Sequence, residues 1–568
     1  MKTGSVGLPR WVRRVVQVVF LLLFLWLILA TWATAETMPG DWVKAFFLAD
    51  PLLLVLTGIA ARGVPLVLLW SLVTVVVTVV FGRIFCGWIC PLGTVHSLAG
   101  WAFDKVQSRA KRHDAYSPWQ KAKYYVLAAG LVMALFGGHW ITIFDPLVLL
   151  YRTATTAIFP ALQYGVEQTA HSIFQADPHL GPVQLGPVQL GPWHLTSLSE
   201  PVYRFFRDHV FAIPKQAFLG AGLVWLVFGL MVAANGYRRR FWCRYLCPLG
   251  AMLGLLARWP LLRRRVNQEG CNQCGLCMTA CHGASSDGGG QAWRPSECLM
   301  CLNCSQSCAR ESCSFGWVSL PAKWASPPGK KKKETALAPV GLSRRGLLWS
   351  GLGGLVGLAG LRATPQGRAK DYYHPRLIRP PGARPEPEFL ARCTGCGMCM
   401  KVCPTGGLQP AITEAGLEGI FTPRLVPLIG HCDYNCTACG HVCPTEAIRP
   451  LEVEEKHQIK IGLAAFDPTR CIPYVYGRNC IVCEEHCPVP DKAIYCVEQE
   501  VKLRNGQTRT LLLPRVDPDK CIGCGVCEHV CPLDDEPGIR VLSTNETRHD
   551  RHQPIPPEVP GQEDLPYG

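Results

Sequence analysis

Residues 521–532 read CIGCGVCEHVCP, and the cysteine spacing in this stretch decides the fold of the last part of the chain. The four cysteines follow the pattern C-x2-C-x2-C-x3-C, which is the spacing of ligands to [4Fe–4S] clusters. Three cysteines of such a loop point inward at one cubane, and the fourth usually ligates the second cluster of a pair. The stretch therefore predicts an α+β domain of bacterial ferredoxin type that holds two clusters.

The same pattern occurs three more times after Asp371. All four copies end in Cys-Pro, and two of them have a longer first gap, of x3 and x8, which a longer loop can absorb. Disulfide frameworks do not repeat this spacing, so the copies predict four [4Fe–4S] clusters. Either adjacent copies pair, or the first pairs with the fourth around the middle two. The predicted ligands are Cys393, Cys396, Cys399, Cys403, Cys432, Cys436, Cys439, Cys443, Cys471, Cys480, Cys483, Cys487, Cys521, Cys524, Cys527 and Cys531.

Two further copies lie earlier in the chain, in CNQCGLCMTAC and ECLMCLNCSQSC. Zinc is the rival metal, but zinc sites usually use two separated C-x2-C pairs rather than a run of four cysteines. The copies predict one cluster on Cys271, Cys274, Cys277 and Cys308, and another on Cys298, Cys301, Cys304 and Cys281. Six clusters are thus expected, two cytoplasmic and four periplasmic. Cys313 and Cys496 fall outside every set and are expected to be structural thiols.

The formal net charge of +15 is divided unevenly over the 568 residues. Residues 1–370 hold 37 Lys and Arg against 15 Asp and Glu, whereas residues 371–568 hold 20 against 27. Such asymmetry indicates that the two parts face different surroundings. Nucleic-acid binding explains the basic part poorly, because membrane topology accounts for its charges. No P-loop is present, and no dinucleotide fingerprint stands between a strand and a helix.

Four apolar segments of the basic part approach transmembrane length, which is ~20 residues. They are Val15–Trp32, Val64–Phe81, Tyr124–Ile143 and Ala217–Ala234. The shorter piece Pro51–Ala61 is expected to be interfacial or re-entrant. Lys and Arg concentrate before the first segment, between the second and third, and after the fourth, so the positive-inside rule places these zones in the cytoplasm. The expected fold is multi-domain: an α-helical membrane unit of four helices plus α+β ferredoxin domains.

The motif CxxxCPLG occurs twice at expected cytoplasmic helix ends, with Cys86 and Cys90 in one copy and Cys243 and Cys247 in the other. Cysteines at positions i and i+4 share one face of a helix. Two such pairs can supply four thiolates to a single site or form a redox-active dithiol, and the plainer interpretation is packing of a helix end. The duplication favours the redox interpretations.

Residues 341–361, GLSRRGLLWSGLGGLVGLAGL, look like a twin-arginine export signal, which belongs at the start of a chain. Its place in mid-chain suggests that two proteins are fused there, and that the acidic part emerges on the outer face if the run crosses the membrane. The expected domains are 1–262, the membrane unit with both CxxxCP motifs; 263–320, a cytoplasmic two-cluster domain; 321–370, a basic linker with the internal signal as a fifth membrane helix; 371–543, a periplasmic four-cluster domain; and 544–568, a disordered tail.

Two resemblances follow from these motifs. The CxxxCP pairs and the two cluster sets of residues 1–320 resemble NapH, a membrane ferredoxin-type protein. Residues 341–540, with the unit CIPYVYGRNCIVCEEHCPVPDKAI, resemble NapG of the MauM/NapG group of exported four-cluster proteins. The resemblance implies the quinol dehydrogenase module of periplasmic nitrate reductase systems, here as one polypeptide. It implies a bacterial inner-membrane protein whose partners are the quinone pool and a periplasmic reductase or cytochrome.

The expected function is therefore oxidation of a membrane quinol, with electrons passing through [4Fe–4S] clusters to a periplasmic reductase. His96, His139 and Asp145 lie near predicted helix ends and are candidate proton acceptors, because ionisable groups near membrane segments often mark functional sites. Two alternatives stay open. One is a transmembrane conduit fed by a cytoplasmic ferredoxin or dehydrogenase, and the other is an accessory redox or maturation protein for a periplasmic metalloenzyme.

Overall fold

A computed structural model describes most of the chain. The described residues are 9–33, 38–106, 115–176, 179–180, 183–185, 188–190, 193–211, 216–267, 269–287, 290, 292–318, 340–363, 374–502 and 508–548. The predicted linker up to residue 339 and the predicted tail beyond residue 548 lie outside these ranges.

The first part of the chain, which we call the helical part (residues 9–256), consists mainly of helices. They are α1 (Arg10–Ala30), α2 (Ala45–Leu48), α3 (Pro51–Ala60), α4 (Ser71–Phe81), α5 (Pro91–Val106), α6 (Ala122–Leu135), α7 (Pro146–Thr153), α8 (Phe159–Ala176), α9 (Thr196–His209), α10 (Ala221–Ala233), α11 (Phe241–Tyr245) and α12 (Pro248–Leu256). Two short antiparallel pairs lie between α8 and α9. They are β1 (His179–Leu180) with β4 (Trp193–His194), and β2 (Val183–Leu185) with β3 (Val188–Leu190).

Helices of membrane length are fewer than the sequence predicts. Within the described ranges, α1 alone is long and apolar enough to cross a membrane, and residues 41–60 add a second span if their two helices, bent by 89°, count as one. Such a bend is the geometry of a broken span or a re-entrant piece. The other three predicted segments contain the shorter helices α4, α6 and α10. The four-helix membrane unit therefore stays a prediction.

Residues 262–318 form a small α+β unit, the first cluster domain, which carries the two earlier cysteine sets. Strand β5 (Leu262–Val266) pairs antiparallel with β8 (Cys313–Trp317), and β6 (Ser286–Asp287) pairs with β7 (Ala292–Trp293). The helices α13 (Leu276–Thr279) and α14 (Asn303–Gln306) each contain the third cysteine of a set. The paired outer strands bring the two ends of this domain together.

A buried ion cluster fixes the first cluster domain against the helical part. Glu297, directly before Cys298, is 5% exposed and accepts hydrogen bonds from the Tyr124 hydroxyl at 2.9 Å and from Lys123. Arg83 Nη1 lies 4.0 Å from the same carboxylate and donates a hydrogen bond to the backbone carbonyl of Ser296 at 2.9 Å. Buried charges are tolerated only when they are paired. The ionic contacts of Glu297 therefore hold the loop that carries Cys298 in place.

Helix α15 (Arg344–Arg362) runs parallel to α6 and packs along it. At its start the Ser343 hydroxyl lies 3.3 Å from that of Tyr125, and at its end Arg362 donates to the Phe136 carbonyl at 3.0 Å. A Cβ on Gly354 would lie 2.6 Å from a backbone oxygen of α6, so glycine is needed for this close approach. One face of the glycine-rich run after the twin arginine, at Gly346, Gly351 and Gly354, therefore packs against α6.

Residues 374–548 form the second cluster domain, which carries the four later cysteine sets. Its helices are α16 (Glu386–Arg392), α17 (Met398–Val402), α18 (Ala438–His441), α19 (Val453–His457), α20 (Ile472–Tyr476), α21 (Val482–Glu485) and α22 (Val526–His529). Its antiparallel pairs are β9 (Leu408–Pro410) with β10 (Pro423–Leu425), β11 (Leu463–Phe466) with β14 (Ile539–Leu542), and β12 (Ile494–Lys502) with β13 (Thr508–Val516). Short elements thus connect the cysteine loops, as an α+β ferredoxin domain requires.

The second cluster domain docks on the helical part through its first cysteine set. His139 Nδ1 lies 3.5 Å from the carbonyl oxygen of Cys393. The guanidinium of Arg152 stacks over the ring of Phe421, with 4.8 Å to the ring centroid. Gln216 donates to the carbonyl of Cys403 at 3.2 Å. These contacts place the first cysteine set nearest to α7.

The last described residues belong to the second cluster domain. Arg548 Nη1 donates to Glu386 Oε2 at 2.8 Å, and Arg379 Nε donates to the same oxygen at 3.1 Å. Burial by itself raises the pKa of Glu386, but the two guanidinium groups lower it to about 2, from an ordinary value of 4.5. The domain therefore extends at least to Arg548, five residues beyond the expected boundary at 543.

We expect Glu386→Gln to destabilise the protein by about 3 kcal/mol at neutral pH, because the depressed pKa measures how strongly the fold favours the carboxylate. That contribution is complete above pH 4.5 and disappears as the pH falls toward 2. The temperature at which half of the cluster absorbance is lost should therefore be lower in the variant, by the same amount at every pH from about 8 to 5.

Glu388→Gln on the same helix is the matched control. Its side chain is 38% exposed and pairs with the partly exposed Arg384 and with Arg392, and because the carboxylate itself is open to solvent the expected loss is under ~1 kcal/mol. Equal losses in the two variants would contradict a stabilising role for the buried Glu386 ion cluster.

Candidate functional site

Four small cavities in the second cluster domain are each lined by four cysteines. Three of the four come from one set, and the other is the last cysteine of a neighbouring set. The groups are Cys393, Cys396, Cys399 and Cys443; Cys432, Cys436, Cys439 and Cys403; Cys471, Cys480, Cys483 and Cys531; and Cys521, Cys524, Cys527 and Cys487. Adjacent sets therefore pair, first with second and third with fourth.

The residues around these cavities fit [4Fe–4S] clusters. Each cavity offers four thiols, the ligands that such clusters take. Gly395 and Gly397 have φ angles of +63° and +86°, which residues with a Cβ rarely adopt, so the loop can wrap closely around the first cavity. Pro444 lines the same cavity beside Cys443. The Cys-Pro ending of each set thus supplies a wall as well as a ligand.

Burial governs the chemistry of these thiols. It raises the pKa of Cys399, Cys439 and Cys527 well above the ordinary value for a thiol. A thiol in such surroundings stays protonated unless a metal holds it as a thiolate, since a coordinated thiol loses its proton. The environment therefore suits these side chains as cluster ligands and makes them poor free nucleophiles.

In the first cluster domain, Cys281 lies with the set that follows it. Its thiol lies close enough to interact electrostatically with the thiols of Cys298 and Cys304. Arg264 Nε donates to Cys313 Sγ at 3.1 Å, and Arg264 Nη2 donates to Cys277 Sγ at 3.5 Å. Cys313 lies outside every set, yet the structure places it between cysteines of the two sets.

The two copies of CxxxCPLG have the same backbone geometry. In each copy, the amide of the second cysteine donates to the carbonyl five residues earlier, from Cys90 to Phe85 at 2.9 Å and from Cys247 to Trp242 at 3.0 Å. The proline that follows occupies the first position of α5 or α12, where a helix needs no amide donor. Each second cysteine therefore stands at the N-cap of a helix.

The glycine that ends each motif completes this geometry. The Gly250 amide donates to Cys247 Sγ at 3.2 Å, and Gly93 has the same position after Cys90 in the other copy. A Cβ on Gly93 would lie 2.8 Å from the carbonyl oxygen of Cys86. Only glycine fits this position without a shift, which accounts for the last letter of the motif.

The four thiols of the two motifs, which we call the four-thiol group, lie together. Arg83 Nη2 lies 3.9 Å from Cys86 Sγ of the first motif, and a Cβ on Gly250 of the second motif would lie 2.7 Å from the same nitrogen and 3.3 Å from Cys247 Sγ. All four cysteines are buried and interact electrostatically with one another. Within the described ranges, no group of three or more His, Cys, Asp or Glu side chains is arranged to hold a single metal ion. The duplicated motif left open a shared four-thiolate site, a redox-active dithiol or simple packing of a helix end. The structure places the four thiols together.

Two buried arginines beside this group are not part of the motif as it was first defined. Arg83 and Arg240 each stand three residues before the first cysteine of their copy, so the full motif is RxxCxxxCPLG. Both are only 1% exposed. Arg83 interacts with Cys247 of the other copy, and Arg240 reciprocally interacts with Cys90. The shared spacing was the signal in the sequence that could have revealed them.

A second duplicated motif, Asp-Pro-Leu, is also absent from the sequence predictions. Asp50 and Asp145 each cap the helix that follows, accepting hydrogen bonds from the amides of Leu52 and Leu147, both at 2.8 Å. The two carboxyl groups are buried and interact electrostatically with each other. Asp145, a candidate proton acceptor by sequence, is therefore placed as a helix cap in a carboxyl pair.

The two candidate histidines have different places. His139 Nε2 lies 3.1 Å from the Thr57 hydroxyl, and its other ring nitrogen faces the second cluster domain. His96 is also buried, and the side-chain amide nitrogen of Asn235 lies 2.6 Å from its Nδ1. His96 Nε2 has no hydrogen-bond partner in the part of the chain that the structure describes.

His96 lines a cavity of about 990 Å³ between α1, α5 and the first cluster domain. Its basic wall residues are Arg10, Arg13, Arg14, Arg239 and Arg240. The cavity borders the four-thiol group, because Arg240 also donates to the Cys86 carbonyl at 2.8 Å. It reaches the first cluster domain at His282, directly after Cys281.

The paired cysteine sets and the fold around them define an iron–sulfur electron-transfer protein of the ferredoxin type. A family model described as a 4Fe-4S binding domain matches residues 390–409 and 514–534, and a second with the same description matches residues 64–109 and 218–267. Each segment matched by the second contains only two cysteines, those of one CxxxCPLG motif.

The chain belongs to the family of MauM and NapG ferredoxin-type proteins. It is 36% identical over 210 residues to the methylamine utilization ferredoxin-type protein MauM of Methylorubrum extorquens, covering 36% of this chain and 90% of that protein. It is 38% identical over 167 residues to the ferredoxin-type protein NapG of Escherichia coli, covering 29% and 70%. A similarity of 24% over 293 residues to MauN of Methylorubrum extorquens covers 49% and 77%. No solved structure matches.

We expect Cys443→Ala to expose the first set rather than the second, because Cys443 shares a cavity with Cys393, Cys396 and Cys399. After anaerobic alkylation of the full chain, peptide mass spectrometry should find these three cysteines newly modified and Cys432, Cys436 and Cys439 still protected. Cys403→Ala is the reciprocal control and should give the opposite pattern. Alkylation of Cys432, Cys436 and Cys439 in Cys443→Ala would instead show that the first and second sets do not exchange their last cysteines.

Proposed function

We propose that the protein oxidises a membrane quinol to the quinone and passes the two electrons, one at a time, through its [4Fe–4S] clusters to a reductase or cytochrome on the outer side of the bacterial inner membrane. The two protons that the quinol loses are released to water. The observation that carries this proposal is the cavity at His96. Its volume of about 990 Å³ suffices for a quinol head group and the beginning of its tail. The iron–sulfur clusters, when bound, supply one-electron carriers.

The walls of the cavity support an amphipathic ligand. Val18, Leu98 and Trp101 line it and are 44%, 49% and 56% exposed, so apolar side chains stand at its rim. Within a membrane these residues would contact lipid, and an isoprenoid tail could leave between them. The arginine-rich wall lies toward the first cluster domain, where a polar head group would be placed.

His96 is suited to hold the head group. Asn235 Nδ2 approaches Nδ1 at 2.6 Å, so the neutral ring carries its proton on Nε2. A ring in this tautomer donates a hydrogen bond to a ligand oxygen rather than accepting a proton from it. We therefore assign His96 as an anchor of the quinol oxygen, which differs from the proton-acceptor role that the sequence suggested.

The proposed orientation rests on the direction of α15 along α6; α15 is long enough to cross a membrane but less apolar than α1, the helix that meets both conditions within the described ranges. The 19 residues of α15 span ~28 Å, close to the ~30 Å of a membrane hydrocarbon core. Because α15 runs from the Tyr125 end of α6 to beyond Phe136, it carries the chain from one end of α6 to the other. In this proposal the first cluster domain is cytoplasmic, the second is periplasmic, and the twin-arginine sequence at Arg344 directs export.

We expect His96→Leu to raise the KM for a menaquinol analogue by about tenfold, because one buried hydrogen bond to the head group is lost. The measurement is quinol-dependent cluster reduction in anaerobic membranes, followed by low-temperature paramagnetic resonance. Reduction by dithionite should be unchanged, since that reagent needs no quinol site.

His171→Leu is the matched control, because His171 is exposed on α8 and does not line the cavity. It should leave the KM unaltered. An unchanged KM in His96→Leu would exclude His96 as the anchor. Absence of quinol-dependent reduction in the wild type would refute quinol oxidation itself.

A further inference from the structure

We infer that Cys86, Cys90, Cys243 and Cys247 together bind one additional iron–sulfur cluster, beyond those of the six ferredoxin-type sets. Each CxxxCPLG motif supplies two thiols, whereas iron–sulfur clusters are held by four protein ligands. The structure brings the two motifs together, so a complete ligand set exists only at their junction. This inference concerns binding and does not depend on quinol being the electron donor.

The local geometry favours anionic sulfur. Cys90 and Cys247 stand at the N-termini of α5 and α12, helices of 16 and 9 residues, where the helix dipole stabilises negative charge. In the second copy the thiol of Cys247 also accepts a hydrogen bond from the amide of the motif glycine, Gly250, at 3.2 Å. Amide donors and a helix dipole directed at sulfur are what a thiolate ligand requires.

The buried arginines supply the second, independent observation. Arg240 makes no ion pair with a carboxylate within the described ranges, and its hydrogen bonds go to the Cys86 carbonyl at 2.8 Å and the Ser97 hydroxyl at 2.7 Å. A buried guanidinium without a counter-charge is costly. Within the described ranges the side chains next to Arg240 that can carry a negative charge are the thiols of Cys90 and Cys243, on which it acts.

Charge balance agrees with a cluster. Four thiolates around an oxidised iron–sulfur core of charge about 2+ leave a net charge of about −2. Arg83 and Arg240 provide two positive charges, one from each motif. Lys123 adds no net charge beside the four-thiol group, because it is paired with Glu297. Four protonated thiols or two disulfides would instead leave Arg240 with no anionic partner.

The four-thiol group also directly adjoins the first cluster domain. Trp88, between the cysteines of the first motif, donates from Nε1 to the Met300 carbonyl at 2.9 Å. A Cβ on Gly87 would lie 2.0 Å from the carbonyl oxygen of Leu299, so the two backbones touch. The additional cluster would thus lie beside the loop of Cys298 and Cys301.

The test is native mass spectrometry of the full chain, purified anaerobically in detergent, which counts whole clusters. The wild type should carry seven. The double variant Cys86→Ala/Cys243→Ala, which removes one ligand from each motif, should carry six. Cys496→Ala is the matched control and should keep seven, because Cys496 lies outside every set.

If the double variant lacks the mass of one four-iron or one two-iron cluster relative to the wild type, the proposed site is supported. A wild type with six clusters overturns the inference, as does a zinc or copper mass, or a disulfide within the four-thiol group. If the double variant does not accumulate, the wild-type count and the state of its four thiols still decide. Failure of quinol to reduce a seven-cluster protein would refute the proposed function and leave this site intact.

Discussion

Each iron–sulfur site in this protein needs four sulfur atoms, and no short stretch of the chain supplies all four to one cavity. In the second cluster domain the last cysteine of one set crosses to its neighbour, as Cys443 joins Cys393 and Cys403 joins Cys432. This exchange ties neighbouring loops into one unit, and the small strands and helices serve mainly to hold the loops apart. Clusters thereby take the place of much of an apolar core, as other structural metals do.

Buried charges join the larger units. Glu297 holds the first cluster domain against Lys123 and Arg83 of the helical part. The salt bridge of Arg362 and Glu418, at 2.8 Å, connects the end of α15 with the second cluster domain. Glu297 directly precedes Cys298, and Arg362 is the last residue of α15, so the contacts that stabilise the assembly also fix how far apart the cysteine sets lie.

The sequence is informative where chemistry depends on spacing. The run from Cys521 to Cys531 specifies a cluster loop by itself, because the ligand spacing is set by the cubane. Pairing of the four sets could not be deduced, since it depends on which loops are neighbours in space. The candidate histidines show the same limit: His96 and His139 both lie near predicted helix ends, yet of the two only His96 lines the large cavity.

Other features are visible in the sequence but gain their meaning only from the structure. They include the arginine three residues before each CxxxCPLG motif and the Asp-Pro-Leu repeat at Asp50 and Asp145. Arg83, for example, acts on Cys86 of its own motif copy and also on Cys247 of the other copy. The glycines of α15 suggested a modest signal helix, whereas Gly354 shows that small residues there allow contact with α6.

Electron transfer from quinol to the outer face can be measured in right-side-out membrane vesicles that contain the protein. The vesicles are supplied with a menaquinol analogue and with ferricyanide, which does not cross the membrane, in the outer medium. If the chain delivers quinol electrons to the periplasmic side, ferricyanide reduction will run well above the rate of vesicles that lack the protein. An equal rate in the two preparations would contradict that delivery.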